Sequence, residues 1–178
     1  MTRNLTGTEL KRLHRGWRRR TEARLALLLD GVQTPYNVGS ILRTAAAEAV
    51  DHLWLVDPTA SPNHPKTNKT ALGSQRFVTW TTSEAPDEAV AAVRDAGYRL
   101  VGVELAEGAE PLWDLDLTGD VCLAVGHEDR GLSRELLGAC DALGYAPQAG
   151  RIGSLNVAQA ATIACYETRR QQWTAPPG

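Results

Sequence analysis

Short apolar runs that alternate with helical patterns constrain the fold of this chain more than any other feature. Leu25 to Leu29 and Val121 to Val125 contain no polar residue, and His52 to Val56 and Arg99 to Glu104 have apolar interiors. A strand that is apolar on both faces is typical of a parallel sheet covered by helices on each side. The alternation of such strands with helices therefore predicts an α/β fold with a parallel sheet.

The remaining elements are predicted from turn and cap signals. Asp30 to Tyr36 forms a turn, and Asn37 is predicted to cap a helix that ends near Ala49. Pro58 to Lys69 is predicted to be a long polar loop. Two short strands are expected at residues 77–81 and 143–146, and two helices at residues 86–96 and 133–137.

Length and composition favour one well-buried domain. The chain has 178 residues, 43% hydrophobic content and a net charge of −2. Its N-terminus is Arg-rich without an apolar core, so we expect neither a signal peptide nor a membrane span. The three cysteines form no C-x-x-C pair and the four histidines are scattered. We therefore expect reduced thiols, a cytoplasmic location and no metal site.

The first 24 residues differ from the rest in charge. They contain eight cationic residues against only Glu9 and Glu22, a formal charge of +6, which leaves −8 for the remainder. Residues 6–9, T-G-T-E, form a capping-box pattern that predicts a helix running to about Arg20. One face of this helix is apolar, with Leu10, Leu13 and Trp17. The opposite face carries Lys11, Arg12, Arg15, Arg18 and Arg19.

This cationic face has two interpretations. A solvated surface is the simpler one, but five cations with one nearby acid exceed what solubility requires. We therefore favour a nucleic-acid partner, for which binding weakens steeply with salt because phosphate contacts release counterions.

A second helix is predicted near the C-terminus, within Gly150 to Tyr166. From Leu155 onward it is apolar on nearly every face, which is typical of a buried helix. Its first turn is polar, with Ser154 as the predicted N-cap and Asn156 close by. This arrangement suits either a capped core helix or a helix whose N-terminus binds an anion or polar ligand.

Three loops follow predicted strands, at the edge of a parallel sheet where such folds bind ligands. Their sequences are N-V-G-S-I-L-R from Asn37, G-H-E-D-R-G-L from Gly126, and the stretch from Pro147 through Asn156. Each combines glycine with a few polar side chains. None matches a phosphate loop, a dinucleotide fingerprint or a nucleophile elbow.

Taken together, the three loops resemble the SPOUT methyltransferases, in particular the TrmH branch that methylates ribose 2′-hydroxyls in tRNA and rRNA. N-V-G-S-I-L-R-T resembles the first family motif, G-H-E-D-R-G-L the second, and A-P-Q-A-G-R-I-G-S-L-N-V-A-Q-A-A the third. Order and spacing match from about Leu25 to Tyr166.

The resemblance implies a parallel sheet sandwiched by helices, with a deep C-terminal trefoil knot. It also implies a homodimer whose active sites borrow residues from the partner, with S-adenosylmethionine as the cofactor. The residues that contact the cofactor in the family correspond by position to Leu105, Gly126, Ala146 and Leu155.

The same resemblance implies the catalytic positions. Arg43 matches the catalytic arginine of the family, and Asn37 and Glu128 are expected to orient Arg43 and the ribose. Ser154 and Asn156 are expected to shape the floor of the pocket.

The resulting organisation is a basic helical extension at residues 1–24, a SPOUT methyltransferase domain at 25–173 and a frayed tail at 174–178. The basic helix most resembles the tRNA branch that modifies a D-loop guanosine, so tRNA is favoured over rRNA. Methylation of rRNA, methylation of the tRNA wobble ribose, and a non-catalytic RNA-binding role on the same scaffold remain open alternatives.

Overall fold

The computed structural model describes residues 2–175 and contains seven strands within one sheet. Those strands are β1 (Leu25–Asp30), β2 (His52–Val56), β3 (Thr79–Ser83), β4 (Arg99–Val103), β5 (Glu110–Pro111), β6 (Val121–Val125) and β7 (Ala142–Tyr145). The α-helices of the described residues are α1 (Gly7–Arg18), α2 (Pro35–Ala47), α3 (Pro65–Ala71), α4 (Pro86–Asp95), α5 (Arg134–Ala139) and α6 (Val157–Thr174). Two 3₁₀ helices span Ser74–Phe77 and Leu112–Asp114.

All neighbouring strands are parallel, in the order β3-β2-β1-β6-β4-β7-β5. β1 lies between β2 and β6, and every residue of β1 and β6 is buried. Their lack of polar alternation is explained by cover on both faces. The predicted α/β class with a parallel sheet is confirmed.

Two apolar layers cover the two faces of the sheet. On one face, α2 and α6 pack through Val38, Ile41 and Ala161 against Leu25 and neighbouring strand residues. On the other, α4 and α5 bury residues such as Val90, Val93 and Leu136 against alternate positions of the same strands. The sheet is therefore sandwiched by helices, as predicted.

The start of α2 differs from the prediction. The helix begins at Pro35 with Thr34 at the N-cap, so the prediction of Asn37 as the cap is wrong. Proline fits the first helical position because its fixed φ suits the helix and its missing N–H would have no helical partner. The Asn37 side chain is thereby left available for contacts outside its own helix.

α6 also differs in two respects. Its N-cap is Asn156, whose Oδ1 accepts a hydrogen bond of 3.0 Å from the Ala158 backbone N–H, so the prediction of Ser154 as the cap is wrong. The helix is not buried all round, because Ile163 and Tyr166 are 43% and 58% exposed. One apolar face of α6 therefore points away from the core.

The predicted polar loop at residues 58–69 ends in a short helix. His64 caps α3 through Nδ1, which accepts from the Lys66 N–H at 3.1 Å. α3 packs against α2, where a Cβ on Gly39 would come within 2.5 Å of the Thr67 carbonyl oxygen. Glycine thus permits a close contact between the two helices. This contact depends on tertiary packing, so the spacing of apolar residues in the sequence does not predict it.

α1 stands apart from both apolar layers. Its predicted capping box is confirmed, with Thr6 and Glu9 bonding each other's backbone N–H groups. No residue of α1 is buried. The ring of Trp17 nevertheless lies 4.9 Å from that of Trp173 on α6.

The C-terminal end is helical through Thr174. Residues 176–178 of the predicted tail lie outside the described residues. Across residues 2–175, no helix combines the length and the apolar character needed to cross a membrane.

Candidate active site

A cleft of about 260 Å³ opens at the carboxyl ends of β4, β6 and β7. The four predicted cofactor positions, Leu105, Gly126, Ala146 and Leu155, all line it. Three separate loops supply these residues, so the parallel sheet brings together positions up to 50 residues apart in sequence. Glu128 and Ser154 line the same cleft.

Gly126 permits the loop after β6 to fold back on itself. A Cβ at this position would lie 2.1 Å from the Gly131 carbonyl carbon and 2.2 Å from the Leu132 nitrogen. His127 and Gly131 exchange backbone hydrogen bonds of 3.0 and 2.9 Å, which closes the loop. Gly131 has φ of +69°, a conformation that favours glycine. The backbone lining the cleft is therefore held in one tight turn.

Glu104, at the end of β4, is a site residue that the sequence analysis missed. Its Oε1 accepts from the Leu105 N–H at 3.1 Å, and its Oε2 accepts from the Leu132 N–H at 3.0 Å. One carboxylate thus ties the loop after β4 to the loop after β6. A charged residue directly after a buried strand was the available signal.

A chain of side-chain hydrogen bonds connects the three motif loops. Asn37 Nδ2 donates to Glu128 Oε1 at 2.9 Å, and Asn156 Nδ2 donates to Asn37 Oδ1 at 3.0 Å. The backbone N–H groups of Thr34 and Gln33 also donate to the Glu128 carboxylate, at 2.9 and 3.3 Å. The described structure therefore joins three of the five predicted catalytic residues in one network.

The charge state of Glu128 follows from these contacts. Partial burial raises the pKa of its carboxyl, but the hydrogen bonds from Asn37 and from the backbone outweigh that effect and lower it to about 2. The group remains an anion near neutral pH, and a carboxylate with so low a pKa is a poor proton acceptor. Glu128 is therefore suited to orienting Asn37 rather than to acting as a general base.

Arg43 lies outside this network. It is exposed on α2 and does not line the cleft. Within the described residues its guanidinium makes no hydrogen bond to Asn37 or Glu128. Asn37 and Glu128 therefore do not orient Arg43 of the same chain, contrary to the expectation. Arg43 instead lines a groove shared with Asn156 and Lys69.

Arg43 also lines a larger groove of about 750 Å³, called here the α1–α2 groove. Its walls are the C-terminal half of α1, the C-terminal half of α2, the 3₁₀ helix Ser74–Phe77 and the end of α6. Of the predicted RNA-binding residues on α1, Arg18 lines this groove and the other four do not. Lys11, Arg12, Arg15, Arg18 and Arg19 are all exposed, and none forms a salt bridge within residues 2–175.

Two further observations describe what the cleft can bind. Gln148 lines it, and its buried Oε1 accepts no hydrogen bond within the described residues. Such an atom suits a ligand that carries a hydrogen-bond donor. The part of the chain that the structure describes holds no cluster of three or more His, Cys, Asp or Glu residues able to bind a metal ion.

Comparison with known proteins matches most of this chain to one family. Residues 24–166 match the SpoU rRNA Methylase family. The chain is 32% identical over 157 residues to the tRNA (guanosine(18)-2′-O)-methyltransferase of Thermus thermophilus, covering 88% of this chain and 80% of that protein. It is 36% identical over 147 residues to the 23S rRNA (guanosine(2553)-2′-O)-methyltransferase of Bacillus subtilis, covering 83% and 58%.

Among solved structures, the fold is similar to that of the SpoU methyltransferase AviRb of Streptomyces viridochromogenes, which was determined in complex with AdoMet. The TM-score is 0.78 at 32% identity, and the match covers 87% of this chain and 62% of that one. The chain thus spans less than two-thirds of the length of the Bacillus and Streptomyces proteins.

Proposed function

The chain belongs to the SpoU rRNA methylase family, and we propose that it methylates a ribose 2′-hydroxyl in RNA with S-adenosylmethionine as the cofactor. The observation that carries this proposal is the hydrogen-bonded chain Glu128–Asn37–Asn156 beside a cleft of tightly folded backbone. It links, through contacts, the three loops whose sequences resemble the family motifs.

The cleft has a composition that fits S-adenosylmethionine. Leu105, Ala146 and Leu155 offer apolar contacts, Gly126 permits the tight backbone turn that lines the cleft, and Gln148 offers an unsatisfied acceptor. When bound, the cofactor supplies an electrophilic methyl group on a sulfonium centre. The protein's part is then to hold the ribose hydroxyl in line with that methyl group, and such positioning can lower the activation free energy by about 7–11 kcal/mol.

Arg43 acts through its permanent charge. A guanidinium has a pKa above about 12 and stays protonated in proteins, so it is unsuited to removing the hydroxyl proton. It binds a phosphate of the substrate and stabilises the alkoxide that develops on the ribose oxygen. Asn37 and Glu128 keep the mouth of the cleft in place and Ser154 lines the cleft, whereas Asn156, which lies in the groove shared with Arg43, holds Asn37 through its amide.

The protein works as a homodimer in which Arg43 of one protomer serves the cleft of the other. Arg43 lies outside the cleft of its own chain, which supports sharing between protomers. An apolar cavity of about 420 Å³ lies between Trp113, Ile152 and Ile163, whose side chains are 57%, 68% and 43% exposed. An exposed apolar patch of this kind is typical of an interface.

Mixed dimers test this arrangement. Arg43→Ala and Gly126→Ala chains, each inactive alone, are co-expressed with different tags. Sharing across the interface restores about one quarter of wild-type activity, because random pairing makes half of the dimers mixed and each mixed dimer has one intact site. Sites confined to one chain would give no restoration, and monomers in solution would refute the dimer itself.

The C-terminal part of the chain forms the trefoil knot of the family. The strand order supports this, because β6 lies between β1 and β4, and the chain then returns to form β7 and α6 beside strands already in place.

The substrate is a cytoplasmic tRNA, with a D-loop guanosine as the favoured nucleotide. The cationic face of α1 supports a folded polyanionic partner, and the relative matched over 80% of its length is named for guanosine 18 of tRNA. Methylation of rRNA is the second candidate, favoured by the 36% identity to the Bacillus enzyme. The wobble ribose and a non-catalytic RNA-binding role are the remaining alternatives.

The decisive experiment is methyl transfer from labelled S-adenosylmethionine to unmodified tRNA and to rRNA, with the labelled nucleotide mapped. We expect label on a ribose of tRNA, and its position identifies the nucleotide. Label only in rRNA would keep the chemistry and overturn the substrate. Absence of both label and calorimetric cofactor binding would favour the non-catalytic alternative.

A further inference from the structure

The α1–α2 groove is separate from the cleft and shares none of its lining residues. Its volume of about 750 Å³ exceeds that of the cleft, about 260 Å³. Arg43 lies in its wall. A binding site here would therefore lie next to the residue to which we assign substrate phosphate binding.

Phe77 is the most unusual residue of this groove. Its side chain is 66% exposed, although it belongs to a 3₁₀ helix that otherwise packs beside α2. The Arg76 guanidinium carbon lies 4.6 Å from the centroid of its ring. Arg76 thus covers one face of a ring that is still 66% exposed, and an exposed aromatic ring near cations is a common platform on which an unpaired nucleobase stacks.

The two tryptophans of the groove are already engaged. The Trp17 ring lies 4.9 Å from the Trp173 ring and 3.8 Å from the Arg20 guanidinium carbon. These contacts hold α1 beside α6 and so form one wall of the groove. Small residues at Ala46 and Ala47 line the wall formed by α2.

The arginines of the groove fall into two groups, those bonded to other parts of the protein and those that form no salt bridge. Arg24 pairs with Asp120 at 2.8 Å, and Arg169 donates to the carbonyl oxygens of Ala23, Glu48 and Ala49. Arg18 and Arg43, by contrast, form no salt bridge within the described residues. They are available to contact phosphates.

The carboxylates of the groove are less available. Asp51 accepts the Leu25 backbone N–H at 3.2 Å, and Glu48 is half-buried beside Arg169, where burial raises its pKa. Glu22 and Asp51 are both exposed. The groove is thus lined by four arginines (Arg18, Arg24, Arg43 and Arg169) against three carboxylates (Glu22, Glu48 and Asp51).

We propose that the α1–α2 groove binds single-stranded RNA adjacent to the methylated nucleotide, with one nucleobase stacked on Phe77 and phosphates held by Arg18 and Arg43. This inference rests on the proposed function, because it places the groove on the path of the RNA towards Arg43. It assigns to Phe77 a role in substrate binding through stacking, which tolerates any base.

Three short RNA probes and two variants test the proposal. The probes are oligoadenylate, oligouridylate and an abasic ribose-phosphate strand of equal length, and the variants are Phe77→Leu and Phe77→Trp. For the wild type we expect oligoadenylate to bind more tightly than the abasic strand by about 5- to 150-fold, the range for one stacked base. Phe77→Leu should lose most of this difference, whereas Phe77→Trp should retain it.

The measurement is fluorescence anisotropy, with calorimetric S-adenosylmethionine binding and thermal unfolding as checks that Phe77→Leu is folded. Equal binding of oligoadenylate by wild type and Phe77→Leu would overturn the proposal. So would conversion of a dimer to monomers by Phe77→Leu, since the groove would then be an interface between copies.

Methyl transfer by the wild type distinguishes a failure of the groove proposal from a failure of the proposed methyltransferase function. Transfer to RNA without any Phe77-dependent stacking would overturn the groove and leave the proposed function standing. A Phe77-dependent preference for oligoadenylate without methyl transfer to any RNA would support the groove while the proposed enzymatic function fails.

Discussion

The cleft and the α1–α2 groove are built in opposite ways. The cleft is lined by a closed backbone turn whose glycines leave no space for a Cβ, and by carboxylates that already accept backbone N–H groups. The groove is larger and is lined by aromatic rings, small residues and arginines, of which Arg18 and Arg43 form no salt bridge within the described chain. A small cavity lined by a tight backbone turn suits one cofactor, whereas a larger groove lined by cations and aromatic rings suits a polymer whose bases vary.

The largest effect is expected from crowding the cleft. Gly126→Ala places a Cβ about 2.1 Å from the Gly131 carbonyl carbon, so the backbone turn must move. We expect S-adenosylmethionine affinity to fall by two orders of magnitude or more and stability to fall by about 1–3 kcal/mol, the usual cost of overpacking. Titration calorimetry and urea unfolding measure the two effects.

Gly138→Ala is the matched control, because a Cβ there meets nothing within 4 Å. It should leave cofactor affinity unchanged and raise stability by up to about 1 kcal/mol, the difference in helix propensity. Wild-type cofactor affinity in Gly126→Ala would contradict the view that the cleft is rigid.

Removing Arg43 should affect catalysis but not cofactor binding in the cleft. Arg43→Ala is expected to reduce kcat by about 10²–10³, the usual loss for one group that stabilises developing charge. Cofactor affinity should stay nearly unchanged, since Arg43 does not line the cleft. Single-turnover kinetics and calorimetry measure these quantities, and full activity of the variant would refute the catalytic role.

The cationic face of α1 should affect RNA binding through salt. Replacement of Lys11, Arg12, Arg15, Arg18 and Arg19 by alanine leaves the capping box and the Trp17 contact intact. We expect the slope of log affinity against log salt to become shallower by about 3–4, since each phosphate contact on a single strand contributes about 0.7.

Filter binding of tRNA at several salt concentrations measures that slope. The control is Arg134→Ala, which removes an exposed cation from α5, away from α1. An unchanged slope in the five-residue variant would mean that α1 is only a solvated surface.

The smallest effect concerns the pH dependence of stability. Since hydrogen bonds hold the pKa of Glu128 at about 2, below its ordinary value of 4.5, its ionised form stabilises the fold. This stabilisation is complete above about pH 5 and is lost as the pH falls towards 2. Glu128→Gln should therefore lower stability at pH 7, by about 1 kcal/mol for the weakened hydrogen bonds, and show a smaller loss between pH 5 and 2.

Urea unfolding at pH 7, 5 and 3 measures this difference. Glu107→Gln is the control, because that carboxylate is exposed and accepts no hydrogen bond within the described residues. Identical pH profiles for wild type and Glu128→Gln would mean that the network does not stabilise the fold.

Several features were predictable because they depend on neighbouring residues only. The unbroken apolar runs of β1 and β6 reflect burial on both faces, and the capping box of α1 is closed by residues three apart. The four cofactor positions were expected from the family resemblance, and they line one cleft because they follow parallel strands, whose carboxyl ends share one edge of the sheet.

Other features were decided by contacts between distant segments. Asn37 was predicted to cap a helix, but its amide instead bonds Glu128, 91 residues away. Asn156 rather than Ser154 caps α6, and it also donates to Asn37 across 119 residues. Asn156 thus has a local contact and a distant one, whereas Asn37 has only distant side-chain contacts, and a local sequence pattern indicates only the local kind.

The amino-acid sequence by itself therefore determined the layered α/β fold, the positions of the three functional loops and the basic character of α1. The tertiary structure alone decided which polar groups pair, why Glu104 is part of the site and why Arg43 faces a groove rather than the cleft. The physical reason is that the spacing of apolar residues along the chain reflects which residues are buried in the core and which are exposed to solvent. Hydrogen-bond partners depend on the order of the strands, because that order brings loops far apart in sequence to the same edge of the sheet.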